Sequence, residues 1–134
     1  MTNDVITKEN LTKDLLFQLF DAAFMTPTID HDGDLSVEDV NRCWVMVDEE
    51  HGRIQLYSQW RFKPETKSND RLACVNKINA DFVLPRAYVR NDALCLDYVM
   101  PVDGGLTPRH VVLATKAFLR QELAAVMEAQ DLIQ

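Results

Sequence analysis

Arg53-Ile54-Gln55-Leu56-Tyr57-Ser58-Gln59-Trp60-Arg61-Phe62-Lys63 is the stretch that decides the fold of this chain of 134 residues. Successive side chains of a β-strand point to opposite faces. One face of this stretch is apolar, with Ile54, Leu56, Trp60 and Phe62, and the other carries Arg53, Gln55, Tyr57, Gln59, Arg61 and Lys63. The alternation therefore predicts a strand with one buried face.

The flanking segments predict further strands. Upstream, residues 43–47 (Cys-Trp-Val-Met-Val) are apolar throughout, which is typical of a strand that is covered on both sides or central in a sheet. Before them, Asp32-Gly33 suits a two-residue hairpin loop of type I′, which needs positive φ at both positions. Downstream, residues 87–89 and 94–100 form a second hairpin through Asn91-Asp92, since both residues tolerate left-handed backbone angles.

Three helices are predicted from a spacing of three and four residues between apolar side chains. The first covers Thr12 to Met25, with Thr7, Asn10 or Thr12 as its cap and Pro27 as its stop. The second starts after Ser68 or Asn69 and stops at Pro85. The third opens at Thr107, a cap followed by Pro108 at the first helical position, and runs close to the end of the chain.

This order of elements predicts the fold class. Helix, about four strands, helix, two strands and a long helix (α-β-β-β(-β)-α-β-β-α) favour an α+β fold with an antiparallel sheet and helices on one side. No linker or internal repeat interrupts the chain. We therefore expect one domain over residues 1–134.

Charge and cysteine content restrict the function classes. The formal net charge is -7, from 14 Lys and Arg against 21 Asp and Glu, so the field of the protein repels phosphate backbones and anionic membranes. Cys43, Cys74 and Cys95 are odd in number, widely spaced and set among apolar residues, which indicates reduced, buried thiols. The start of the chain lacks the basic and apolar regions of a signal peptide, and no window is apolar enough to span a membrane. We expect a cytoplasmic protein that binds neither nucleic acid nor membrane.

The acidic segment Asp30-His31-Asp32-Gly33-Asp34 can be laid on a calcium-binding EF-hand loop. Thr28 would then stand where the first carboxylate belongs, and Asp39 where a bidentate Glu belongs. Strand formers follow in place of a helix. A hairpin turn is the favoured interpretation, and calcium or small-ligand sensing at Asp30-Asp34 remains the alternative function.

Catalytic and metal motifs are not recognisable in the sequence. His31, His51 and His110 lie far apart, and no His, Cys or carboxylate has metal-ligand spacing on a helix. Trp60 to Lys63 mixes aromatic and basic residues, as single-strand nucleic-acid surfaces do, but the rings and charges fall on opposite faces of a strand. We predict a protein that is not an enzyme and has no cofactor.

The last helix has a broader apolar arc than one sheet contact needs. Most of the arc can pack on the sheet. A leftover stripe can instead meet the same helix of a second copy or a client segment, since exposed apolar patches mark partner surfaces. The candidate partner-binding residues are Phe118, Leu119, Leu123 and Val126.

From Val75 onward the chain resembles the YbjN family of small bacterial proteins, which are named as sensory transduction regulators. The resemblance is carried by Asn76 and Asn79 in Val75-Asn76-Lys77-Ile78-Asn79 and by residues 98–107, which contain Gly104-Gly105. The asparagines suit hydrogen bonds to nearby backbone, and the glycines suit a turn into the capped last helix.

The family resemblance implies a twisted antiparallel sheet flanked by helices, the fold of type III secretion chaperones. It also implies a small, acidic, often dimeric protein that contacts other proteins. We therefore expect a chaperone-like or regulatory adaptor with a protein partner or client, a possible homodimer.

Overall fold

The computed structural model describes residues 4–134. Helix, four strands, helix, two strands and helix follow one another as predicted. The elements are α1 (Lys13–Ala22), β1 (Thr28–Ile29), β2 (Leu35–Glu38), β3 (Arg42–Asp48), β4 (Arg53–Arg61), α2 (Ser68–Asp81), β5 (Arg86–Arg90), β6 (Ala93–Pro101) and α3 (Pro108–Glu128).

All six strands form one antiparallel sheet in the order β1-β2-β3-β4-β6-β5. Its longest ladder joins β4 to β6 over nine residue pairs, from Arg53 opposite Pro101 to Arg61 opposite Ala93. The strand that the alternation identified is thus the centre of the sheet. The predicted α+β class and the antiparallel sheet are confirmed.

The hydrophobic core lies between one face of the sheet and the helices. Residues that face each other across neighbouring strands share a face, and this face carries Ile54 and Leu56 on β4 next to Val45 and Val47 on β3. Helix residues complete the core: Leu16, Leu19 and Phe20 from α1, Val75 and Ile78 from α2, and Val111, Phe118, Leu119 and Ala125 from α3. Within residues 4–134, no helix has the length and apolar character needed to cross a membrane.

Two helix caps are confirmed. Thr12 Oγ1 accepts a hydrogen bond of 3.1 Å from the Leu15 amide at the start of α1, and Thr107 Oγ1 accepts one of 3.0 Å from the His110 amide at the start of α3. The cap predicted for α2 is wrong, because Lys67 occupies that position and makes no side-chain cap.

Arg71 holds the turn before α2 in place of a cap. Its guanidinium donates to Thr66 Oγ1 and to the Lys63 carbonyl oxygen, at 2.7 and 3.2 Å. Ser68 and Asn69, the predicted caps, are already helical.

The two predicted hairpin turns differ in outcome. Asn91 and Asp92 have φ of 50° and 63°, so the two-residue turn between β5 and β6 has the left-handed angles expected of it. In the β1–β2 hairpin, however, the Asp30 amide donates to the Asp34 carbonyl oxygen at 3.1 Å, which leaves a three-residue loop in which only Gly33 has positive φ. The type I′ prediction is therefore wrong for this loop.

β3 lies inside the sheet, because it pairs with β2 on one side and with β4 on the other. This is one of the two alternatives that its apolar sequence predicted. It is not covered on both faces. Val45 is buried on the core side, whereas Met46 on the opposite side is 48% exposed. The second side of the sheet is thus uncovered, which directs attention to the side chains on it.

Candidate functional site

The predicted stripe on α3 is largely part of the core. Phe118 and Leu119 are fully buried because α3 turns this face toward the sheet. At these two positions the structure corrects the prediction of a partner-binding surface. Leu123 is 38% exposed, and Val126 is partly buried against the core. The exposed apolar side chains that remain on α3 are few, namely Leu113, Leu123 and Met127.

The side of the sheet opposite the helices, called here the open face, is a better candidate surface. Cross-strand register assigns its residues, since Trp44 lies opposite Tyr57, and Tyr57 lies opposite Asp97. The polar and aromatic members are Ser36, Glu38, Arg42, Trp44, Asp48, Arg53, Gln55, Tyr57, Gln59, Arg61, Arg86, Tyr88, Arg90, Cys95 and Asp97.

The open face differs in charge from the rest of the chain. It holds five of the 14 Lys and Arg, but only three of the 21 Asp and Glu. The arginines are Arg42, Arg53, Arg61, Arg86 and Arg90. An acidic protein thus carries a locally basic sheet surface, which favours acidic partners through complementary potential.

Asp97 anchors the middle of the open face. It is 1% exposed and accepts two hydrogen bonds from Arg86, from Nε at 2.9 Å and from Nη2 at 2.7 Å. Gln55 Nε2 donates to it at 2.9 Å, and the Tyr88 hydroxyl donates at 3.4 Å. The hydrogen bonds that Arg86 donates to Asp97, together with the negative charge of Asp97, raise the pKa of Arg86. This network fixes the side chains around it in one arrangement.

Aromatic rings lie on both sides of this network. Trp44 stacks on Tyr57 with 6.1 Å between ring centroids, and the Tyr57 hydroxyl donates to Gln59 Oε1 at 2.9 Å. The Tyr88 ring lies 5.1 Å from the Arg86 guanidinium and 5.3 Å from that of Arg90. Desolvation is the main cause of the raised pKa of the Tyr88 hydroxyl. Trp, Tyr and Arg are the residues that dominate binding energy at protein interfaces.

The acidic loop has the geometry of a stabilised turn. One carboxylate oxygen from each of Asp30, Asp32 and Asp34 lies within 4.8 Å of the others. Asp30 Oδ1 accepts hydrogen bonds from the amides of Asp32 at 2.9 Å and Asp34 at 3.0 Å, and hydrogen bonding to the Asp34 amide is the main reason why its pKa is lowered. The Lys13 ammonium donates to the Gly33 carbonyl oxygen, so a cation already lies beside the loop.

The two motif asparagines have different environments. Asn79 pairs with the backbone of Ala87 on β5: its Oδ1 accepts from the Ala87 amide at 2.8 Å, and its Nδ2 donates to the Ala87 carbonyl oxygen at 3.0 Å. This is the backbone-binding role that the sequence suggested. Asn76 is exposed and makes no hydrogen bond through its side chain within residues 4–134.

The motif glycines form the turn that leads into α3. Gly104 and Gly105 have φ of 79° and 89°, a region that favours glycine. A Cβ on Gly105 would lie 2.4 Å from Val5 Cγ1, so this position also requires the absence of a side chain. Both glycines are thereby explained by structure.

Reasoning from sequence missed the open face. The alternation correctly predicts that Tyr57 and Gln59 lie on the side opposite Leu56, but alternation within one strand does not indicate whether that side is covered. The sequence feature that could have indicated it is the set of polar and aromatic residues that alternate with the core residues in β3, β4 and β6. Arg86 and Asp97 come together only through the register of β5 on β6.

Comparison with known proteins places the chain in a family. The crystal structure of YbjN from E. coli, described as "a putative transcription regulator", superposes with a TM-score of 0.79 and 16% sequence identity, covering 98% of this chain and 99% of that one. At this identity the likeness shows the fold alone. No curated protein matches the chain. A family model described as "YbjN: Putative bacterial sensory transduction regulator" matches residues 12–129. Since that match covers most of the sequence, the chain belongs to the YbjN family.

Proposed function

We propose that this chain is a non-enzymatic regulatory adaptor that binds a protein partner through the open face of its sheet. The observation that carries the proposal is the uncovered group of Trp44, Tyr57 and Tyr88 around the ion pair of the exposed Arg86 with the buried Asp97. Tyrosine and tryptophan side chains bury a large area on binding and lose little conformational entropy, and arginine is enriched with them among the residues that dominate binding energy. The description of the family as regulators agrees with such a role.

The charge of the open face indicates the kind of partner. Its arginine excess favours an acidic protein segment, and Arg90 is an exposed member that stacks on Tyr88. The proposal places the adaptor in the cytoplasm, with the three free cysteines in support, since reduced thiols suit a reducing compartment.

Site-specific photo-crosslinking tests this proposal. A photoreactive residue at position 90 should crosslink a protein in cells of the source organism, and the same residue at position 109, which is exposed on α3, should not. In a binding assay with the partner identified by crosslinking, the purified Arg90→Glu variant should no longer bind that partner. Arg109→Glu makes the same charge change on the helix side, and this variant should still bind the partner. Equal crosslinking at both positions, or binding that Arg90→Glu leaves unchanged, would contradict the proposal.

A second copy of the chain is one possible occupant of the open face. Light scattering on a dilution series of wild type and Arg90→Glu distinguishes it from a different protein. A dimer that Arg90→Glu converts to a folded monomer identifies the partner as a second copy. A monomer at every concentration leaves the photo-crosslinked protein as the partner.

Cation sensing at the acidic loop is the second candidate function, favoured by the close approach of the Asp30, Asp32 and Asp34 carboxylates. The neighbouring Lys13 ammonium opposes it. Calorimetric titration with Ca²⁺ decides: binding heat that Asp34→Asn removes supports the second candidate. Absence of heat at about 1 mM, the range of weak extracellular calcium modules, eliminates it.

A further inference from the structure

The side of α3 that faces away from the sheet carries a straight line of side chains, called here the outer line. Its members follow one another at alternating spacings of three and four residues: Leu113, Lys116, Arg120, Leu123 and Met127. The opposite side of the helix carries the fully buried Val111, Phe118 and Ala125. At about 1.5 Å per residue the outer line is about 21 Å long. Its spacing is the one by which a helix packs against a second helix.

The apolar members of the outer line are in contact with solvent. Leu113 is 50% exposed, Leu123 38% and Met127 61%. Single exposed apolar residues are ordinary on a protein surface, whereas contiguous apolar patches mark interaction sites. The aliphatic stems of Lys116 and Arg120 lie between these side chains along the helix and are themselves apolar. The outer line is therefore one patch with two charged groups at its edges.

The two cations of the outer line have no acidic partner. Neither Lys116 nor Arg120 makes an ion pair within residues 4–134. No acidic residue lies three or four positions from either of them, the spacing at which helix side chains pair. Of the acidic residues of α3, Glu122 is buried and Glu128 lies 3.6 Å from Lys77 on α2. A chain with 21 acidic and 14 basic residues thus has one helix face whose only charges are positive.

This charge indicates what can cover the outer line. Two copies packed antiparallel would place Arg120 of one copy near Arg120 or Lys116 of the other, and two parallel copies would place each cation beside itself. Like charges that face each other oppose association, so a second copy is disfavoured. An anionic membrane would satisfy the cations, but the field of a protein with a net charge of -7 repels it. The favoured occupant is a helix that brings negative charge.

We propose that the outer line binds an acidic amphipathic helix of another protein. Apolar residues of that helix pack on Leu113, Leu123 and Met127, and its carboxylates pair with Lys116 and Arg120. The site goes beyond the proposed function, because it lies on the helix side of the molecule, opposite the open face. With two such surfaces, the adaptor can hold two proteins at the same time.

Selection from a displayed library of helices tests this proposal without a known partner. The library holds helices of about 20 residues, with Leu along a heptad seam and with Glu, Gln or Lys at random beside the seam. Immobilised wild-type protein should enrich sequences in which Glu predominates. An enriched peptide carrying a fluorescent label should show saturable binding by anisotropy. Its counterpart with Gln in place of every Glu should bind at least about tenfold more weakly.

Variants assign the binding to the outer line. Arg120→Glu reverses a charge at its centre and should weaken binding of the enriched peptide about tenfold or more. Arg109→Glu makes the same change one turn before Leu113, where α3 and the end of α1 form a hollow, and should leave binding unchanged. Arg90→Glu alters the open face and should also leave it unchanged, which separates this site from the proposed function.

The proposal is overturned if no sequence is enriched, if Gln or Lys is enriched beside the seam, or if Arg120→Glu binds the peptide as tightly as wild type. Loss of binding in Arg90→Glu but not in Arg120→Glu would place the peptide on the open face and overturn it equally. Two results would replace the helix by another occupant: sedimentation with phosphatidylglycerol and phosphatidylcholine vesicles that Arg120→Glu abolishes, or a dimer in light scattering that Arg120→Glu dissociates. Each of these outcomes leaves crosslinking at position 90 as a separate measurement.

Discussion

Replacement of the buried Glu122 by Gln should remove a pH dependence of stability. In the folded protein the pKa of Glu122 is about 8, against an ordinary value of 4.5, so the folded state holds a proton that the unfolded state releases between these values. Stability contributed by this group is therefore present below about pH 4.5 and is lost as the pH rises toward 8. At about 1.4 kcal/mol for each tenfold change in proton affinity, the loss amounts to roughly 3–5 kcal/mol, the lower figure applying if the ionised side chain becomes partly hydrated.

Urea unfolding followed by circular dichroism at several pH values between 5 and 9 measures this effect. The free energy of unfolding of the wild type should fall across this range, and that of Glu122→Gln should stay nearly level, so the variant becomes the more stable protein at high pH. Glu128→Gln serves as the control because Glu128 is exposed, and its profile should run parallel to that of the wild type. Parallel profiles for wild type and Glu122→Gln would refute the reasoning.

Three further predictions concern residues whose role the structure defines. Asn79→Ala leaves the Ala87 backbone groups unpaired and should cost about 1–3 kcal/mol in urea unfolding, whereas Asn76→Ala should change stability by about 0.5 kcal/mol or less; equal effects would contradict the pairing. Arg86→Ala removes the charged partner of the buried Asp97 carboxylate, to which Gln55 and Tyr88 still donate, and should cost about 1–3 kcal/mol, which a melt at neutral pH detects; an unchanged melting temperature would show that the pair is not structural. Phe118→Asp places a charge in the core and should abolish the near-ultraviolet circular dichroism signal, because the free-energy cost of burying an unpaired charge exceeds the stability of a typical domain. A folded variant would contradict the burial of this ring.

Features governed by neighbours in sequence were predictable. Thr107 and Pro108 define the start of α3 through contacts within one turn, and Asn91-Asp92 defines a tight hairpin through its own backbone preferences. The alternation around Leu56 located the centre of the sheet because each strand residue reports its own face.

Features governed by distant contacts were not predictable to the same extent. The arc of α3 that faces the sheet depends on packing, so Phe118 could be assigned to the core or to a surface from spacing alone. A signal for the buried carboxyl group was present, because Glu122 follows Phe118 by four residues and Leu119 by three and so lies on their helical face. The end of the β3–β4 ladder at Trp44 and Tyr57 depends on contacts between distant segments, which no local sequence pattern indicates.

The pairing of Asn79 with Ala87 has a consequence for how other chains can approach the sheet. β5 is an edge strand, and edge strands invite uncontrolled addition of further strands. The amide side chain occupies a backbone donor and acceptor at the middle of that edge, and the opposite edge, β1, is only two residues long. Neither border offers a long template for polymerisation into fibrils. Extended chains are thereby discouraged from joining the sheet in its plane, and the flat surface becomes the available route of approach.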